Sequence, residues 1–174
     1  QSYSYPQQIA SALGYPAGSF VQPLVNHPGI GSSDTGDQMQ VAGVLHWTGA
    51  GVGLVGTTNA LEVSNLLLAS SWPVPYSNLG VPGATTYDML NCTDSSNSQS
   101  PGNSYFDFIL RNPTFGDVTM IDQAINRGPT LVTCWIGNND ILGGATSGEP
   151  VVGVNITPTV NFQAMFEGIL DKIA

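Results

Sequence analysis

Two segments carry glycine and asparagine in the order that anion-stabilising chemistry needs: Asn78-Leu79-Gly80-Val81-Pro82-Gly83-Ala84 and Trp135-Ile136-Gly137-Asn138-Asn139-Asp140. Each stands at the end of a run that reads as a buried strand, the edge at which α/β sheets bind ligands. A glycine at a strand-to-helix turn lets the backbone N–H approach a substrate closely, and an asparagine amide adds a second donor. Two such donors together stabilise the oxyanion of a tetrahedral intermediate, which is the chemistry of acyl transfer. Taken singly, Gly83 is also what a turn needs, and Asn138 to Asp140 are what a helix start needs. The pair, in this order and context, is what points to chemistry.

The elements that must hold these groups can be read from the pattern. Tyr76 to Val81 reads as a short strand, and Pro82-Gly83-Ala84-Thr85-Thr86 leads from it into a helix containing Tyr87, Met89 and Leu90. From Asp117 the apolar Val118, Ile121, Ala124 and Ile125 recur at helical spacing and stop at Gly128. Pro129 then opens TLVTCWIG, nearly continuously apolar and partly β-branched, as a buried parallel strand would be. Pro6 to Gly14 reads as a short helix with proline in its first turn and glycine as its stop. Residues 27 to 38 read as loop, 41 to 55 as a hairpin or irregular extension, and 92 to 104 as a mobile polar loop. Phe162, Met165, Phe166, Ile169, Leu170 and Ile173 mark an amphipathic last helix. Gly51, Gly53 and Gly56 match Gly-x-Gly-x-x-Gly, but without the strand and helix a dinucleotide site needs, so they read as a glycine-rich turn.

NLGVPGATT resembles the second conserved block of the SGNH (GDSL-type) ester hydrolases, and GNND resembles their third, Gly-x-Asn-Asp. The longer string LVTCWIGNNDILGGATSG, with YSYPQQIASAL upstream, is most similar to a branch of exported or lipoprotein GDSL-like lipases of Bacteroidetes and their relatives, and the likeness covers essentially the whole chain. The resemblance implies a three-layer α/β/α domain with a short parallel sheet and helices on both faces, here an incomplete, interior portion forming one domain over 1–174. It implies serine acyl transfer on acyl or acetyl esters of lipid or carbohydrate, with no cofactor. Gly83 and Asn139 take the oxyanion-hole roles, Asn139 rather than Asn138 because the family's donor immediately precedes the aspartate, and Asp140 becomes a structural hydrogen-bond acceptor.

The family's Gly-Asp-Ser and Asp-x-x-His blocks have no match here. Gly31-Ser32-Ser33-Asp34 holds serine beside aspartate in reversed order, and His27 and His46 precede the oxyanion blocks, whereas the family's histidine follows them. His46 reads as a partly buried histidine and His27 as a loop residue. The alternative reading is a non-catalytic extracellular structural or carbohydrate-binding protein built on the same scaffold.

Composition narrows the partners. Three cationic residues face twelve carboxylates, a formal net charge of −9, which repels phosphate backbones and makes nucleic acid a poor partner. Charged residues make up only 9% of the chain. The polar surface is then Ser, Thr, Asn, Gln and Gly, a balance that suggests a secreted, extracellular or cell-surface protein. Asn91-Cys92-Thr93 and Asn155-Ile156-Thr157 are sequons that could make it a glycoprotein. No apolar run approaches the roughly 20 residues that cross a bilayer. Cys92 and Cys134 fit no metal spacing, and either a disulfide or two buried free thiols is open to them.

Overall fold

Pro6 supplies a fixed φ where the first helical turn has no use for an N–H, and α1 forms over Tyr5–Ala12, stopping before Gly14 at φ +75°. This helix belongs to the first of two compact units, Gln1–Asn78 and Leu79–Ala174. The computed structural model describes residues 4–25, 41–47, 49–58, 67–100 and 102–174. Beside α1, the buried Gln22 carboxamide accepts from Ser4 Oγ at 2.7 Å and Asn78 Nδ2 at 3.2 Å, and donates to Gln7 Oε1 at 3.2 Å. The stretch read as a hairpin or irregular extension is a hairpin. Strand β1, Val41–Trp47, pairs antiparallel with β2, Val52–Thr58, in the register Val41↔Thr58 to Trp47↔Val52. The loop expected at 27–38 lies outside the described residues.

The second unit is helical. Its elements are α2 Thr86–Asn91, a 3-10 turn at Ser95–Asn97, α3 Tyr105–Leu110, α4 Asn112–Phe115, α5 Met120–Asn126, α6 Asn139–Ser147 and α7 Thr159–Ile173. Helix α2 packs against α5 and α7, and Met89, Cys92, Phe106, Leu110, Ile121 and Ile169 of this unit are buried. The helix expected after Asp117 is α5, capped by Thr119, whose hydroxyl accepts from Asp122 N at 3.3 Å. Of the expected apolar face of α7, Ile169 is fully buried, Phe162, Met165, Phe166 and Ile173 are half-buried, and Leu170 is half exposed.

The three-layer α/β/α arrangement with a parallel sheet is not what the chain forms. Among the described residues the only strand ladder of any length is the antiparallel hairpin β1–β2. Neither Tyr76 to Val81 nor residues 130–137 pair with a strand; both runs are without regular secondary structure. The second was expected to be buried, yet Leu131 is 58% and Trp135 75% exposed. The physical reason is that an apolar, β-branched run favours extended backbone but becomes a strand only beside another strand, and parallel neighbours must arrive by long crossovers. A hairpin needs only a tight turn, so the local pairing is the one that forms.

Within the segment read as a mobile polar loop, side chains build a short 3-10 turn, Ser95–Asn97. Asp94 Oδ1 accepts from Ser96 N at 2.7 Å and Asn97 Oδ1 from Asp94 N at 3.2 Å, a capping box that starts the 3-10 turn. Asp107 accepts from Ser95 N at 2.9 Å and Asp88 from Gln99 N at 2.6 Å, so both ends of the turn are anchored to helices. Short polar side chains hydrogen-bond nearby backbone, and this is the order that a polar composition conceals. Among the described residues no helix is long and apolar enough to cross a membrane.

Candidate functional site: an oxyanion-type donor pair

Ala84 N donates to Val81 O at 3.2 Å, closing a turn with Pro82 second and Gly83 third. Gly83 has φ +80°, the left-handed region that a turn of this class requires at its third position and that glycine enters without strain. Thr85 then caps α2: its hydroxyl accepts from Asp88 N at 3.3 Å, and the Asp88 carboxylate accepts from Thr85 N at 2.9 Å. The turn is thus held between a ring of its own and a capped helix start.

The second block docks onto the first through two adjacent side chains. Asp140 is buried, and its carboxylate accepts from Thr86 N at 3.0 Å and from Thr86 Oγ1 at 2.7 Å. Asn139 Nδ2 donates to Ala84 O at 2.8 Å. Residues 139 and 140 open α6, so their side chains are fixed at the first turn of a helix. The Asn139 amide therefore rests on Ala84, the residue that follows Gly83 in the turn. Asp140 is the buried acceptor expected of it.

Donor capacity remains at this place. Among the described residues the N–H of Gly83 has no acceptor, and Gly83 is exposed. An asparagine amide carries two protons, and that of Asn139 gives one to Ala84 O. Asn138 is exposed and donates to Asn139 Oδ1 at 3.3 Å, so it props the neighbouring amide without facing Ala84 itself. Asn103, in the stretch expected to be mobile, donates from Nδ2 to Pro82 O at 2.9 Å. Sequence reasoning passed it over; the signal was an asparagine two residues before the helix α3, where its Oδ1 accepts from Tyr105 N at 3.2 Å.

The other candidates lie elsewhere. His27, Ser32, Ser33 and Asp34 fall outside the described residues, and His46 belongs to β1 of the first unit, paired with Gly53. No histidine occurs in Leu79–Ala174. Gly51, Gly53 and Gly56 sit at the entry to β2 and within it. Cys92 and Cys134 are both free thiols: Cys92 is buried and donates to Asp94 O at 3.0 Å, while Cys134 is exposed, so neither the bridge nor a pair of buried thiols is formed. Burial, reinforced by the Asp88 carboxylate, pushes the Cys92 thiol up to about 12, and burial also raises that of Cys134. Among the described residues no cluster of His, Cys, Asp or Glu could hold a metal ion.

No family model matches the chain, and neither a curated protein nor a solved structure matches it.

Proposed function

We propose that this chain carries the oxyanion-stabilising part of a secreted ester hydrolase of the SGNH type, with the Gly83 N–H and the Asn139 side-chain amide as its two donors. The observation that supports the reading most is the bond from Asn139 Nδ2 to Ala84 O at 2.8 Å, which ties the start of α6 to the residue next to Gly83. The reading rests on these two blocks and not on a sheet behind them. In the reaction a nucleophile adds to an acyl or acetyl ester carbonyl, the carbonyl oxygen takes the negative charge, and the donors lower the barrier by meeting that charge in a preorganised place. The alkoxide then leaves with a proton, and the carbonyl re-forms. Residues 1–174 hold neither a Gly-Asp-Ser nor an Asp-x-x-His block, so nucleophile and base are not assigned within them.

The test supplies the nucleophile from solution. With 4-nitrophenyl acetate and added hydroxylamine, the chain should accelerate nitrophenolate release saturably over the rate without protein. Without hydroxylamine it should show no burst and no turnover through an acyl-enzyme, only whatever acceleration of attack by water the donors give, because an oxyanion hole alone forms no acyl-enzyme. Asn139→Ala should return the hydroxylamine reaction to the protein-free rate, and Asn138→Ala should leave it largely intact. No acceleration, or equal loss in both variants, would overturn the proposal. Turnover without hydroxylamine that disappears when one of the chain's own serines becomes alanine would overturn the claim that the nucleophile is absent.

A further inference from the structure

The Pro82–Gly83 peptide is gripped on its carbonyl side. Asn103 Nδ2 donates to Pro82 O at 2.9 Å, and a Cβ built on Gly83 would lie 3.3 Å from that same nitrogen. The Asn103 amide therefore packs directly against the turn. In a trans peptide the C=O and the N–H of the same unit point in opposite directions. A donor that fixes Pro82 O on one side consequently fixes the Gly83 N–H on the other, away from Asn103. In a turn with a positive-φ third residue this peptide is also the unit most able to flip, because turns that differ chiefly in its orientation are both open to a glycine.

Asn103 is itself held. Its Oδ1 accepts from Tyr105 N at 3.2 Å, its N–H donates to Ser100 O at 3.3 Å, and its carbonyl accepts from Phe106 N at 3.1 Å. Phe106 is fully buried, so the start of α3 gives this asparagine a rigid seat.

We infer that Asn103 is a positioning residue of the oxyanion site: by holding Pro82 O it locks the Pro82–Gly83 peptide in the orientation that presents the Gly83 N–H as a donor. The inference rests on the proposed role of Gly83 and Asn139. Asn103 itself does not touch the oxyanion, since it lies on the carbonyl side of the peptide whose N–H is the donor. Hydrogen bonding at Pro82 O also polarises the peptide and makes its N–H a stronger donor.

The experiment is a proton–nitrogen correlation spectrum of the nitrogen-15 labelled chain titrated with sodium acetate at constant ionic strength. Asn103→Ala removes the amide without adding charge. Asn103→Asp keeps an oxygen for Tyr105 N while removing the donor to Pro82 O. In the unaltered chain the Gly83 backbone and Asn139 side-chain signals should both move with acetate. In either variant the Gly83 response should fall to that of unrelated exposed amides, while the Asn139 response persists and attests that the fold is intact. The Gly83 nitrogen should also shift upfield in acetate-free buffer, a signature of the lost bond at the preceding carbonyl. A Gly83 response that survives both substitutions overturns the role of Asn103 and leaves the donor pair standing. If Gly83 and Asn139 are both silent in the unaltered chain, the donor pair falls, and this inference with it.

Discussion

At the scale of single residues, Asp140 decides whether the two blocks stay together. Its carboxylate is buried and is the acceptor for both Thr86 N and Thr86 Oγ1. Asp140→Ala would leave a buried amide and a buried hydroxyl without an acceptor, and each such group costs about 1 to 3 kcal/mol. The expected loss is on the order of 3 kcal/mol in urea unfolding; a loss below about 1 kcal/mol would mean that Thr86 finds another acceptor. Cys92 makes a second, pH-linked contribution. Its folded value is raised to about 12 from 9.0, so its share of stability is fully present below pH 9.0 and is lost as pH rises towards 12, where the unfolded thiol ionises and the buried one resists. Alkylation of the native chain at neutral pH should modify Cys134 and spare Cys92, and Cys92→Ala should flatten the alkaline fall in melting temperature. Rapid native labelling of Cys92 would contradict its burial. The acceptor role of Asp140 was legible through the Gly-x-Asn-Asp resemblance, and its buried bonds to Thr86 agree with it. Asn103 was legible only as an asparagine just ahead of α3; its bond to Pro82, 21 positions away, has no mark in the sequence.

At the scale of elements, α6 is seated through its two adjacent glycines, Gly143 and Gly144. A Cβ on Gly144 would come within 2.7 Å of Ile156 Cγ1, and one on Gly143 within 3.0 Å of Asn155 O. The helix lies against 155–156 at that face, joined by Gly144 N to Asn155 O at 2.9 Å and Thr157 N to Asp140 O at 2.8 Å. Asn155 itself donates to Ser147 Oγ and Glu149 O, so a sugar on this sequon would replace a proton that ties the loop to α6. Gly144→Ala gains about 1 kcal/mol of helix propensity but forces overpacking against a branched side chain, which costs about 1 to 3 kcal/mol. It should destabilise, whereas Gly168→Ala in α7 should stabilise, because there the nearest atom is a terminal methyl of Leu90 at 3.3 Å that can move aside. Thermal unfolding of the two variants checks the contrast; the same sign for both would contradict it. Helices α1, α2 and α5 were legible from proline, glycine and apolar spacing, although α5 starts at Met120 after the Thr119 cap and not at Asp117, and the short α4 was not read. The seat of α6 was not, since Gly-Gly looks alike in a turn and in a tight helix contact.

At the scale of the whole molecule, the apolar run at 130–137 shows where sequence pattern stops short. Its composition matched a buried parallel strand, but strand pairing is a relation between two segments and cannot be read from either alone. Leu131 and Trp135 stand exposed. The turn at Gly83 and the start of α6 were expected to meet at adjacent strand ends; they are joined instead by side-chain bonds from Asn139 and Asp140, without a sheet between them. A net charge of −9 works against any bound anion at long range, so binding at this site must come from short-range donors and not from the field of the protein. The most direct measurement is a crystal structure of the chain soaked in methylphosphonate, whose tetrahedral oxygens resemble the intermediate. One phosphonate oxygen should lie roughly 3 Å from both the Gly83 nitrogen and Asn139 Nδ2. A phosphonate bound elsewhere, or a Gly83 nitrogen and an Asn139 amide more than about 8 Å apart with no cavity between them, too far for one oxygen to bridge at hydrogen-bond distance, would contradict the account.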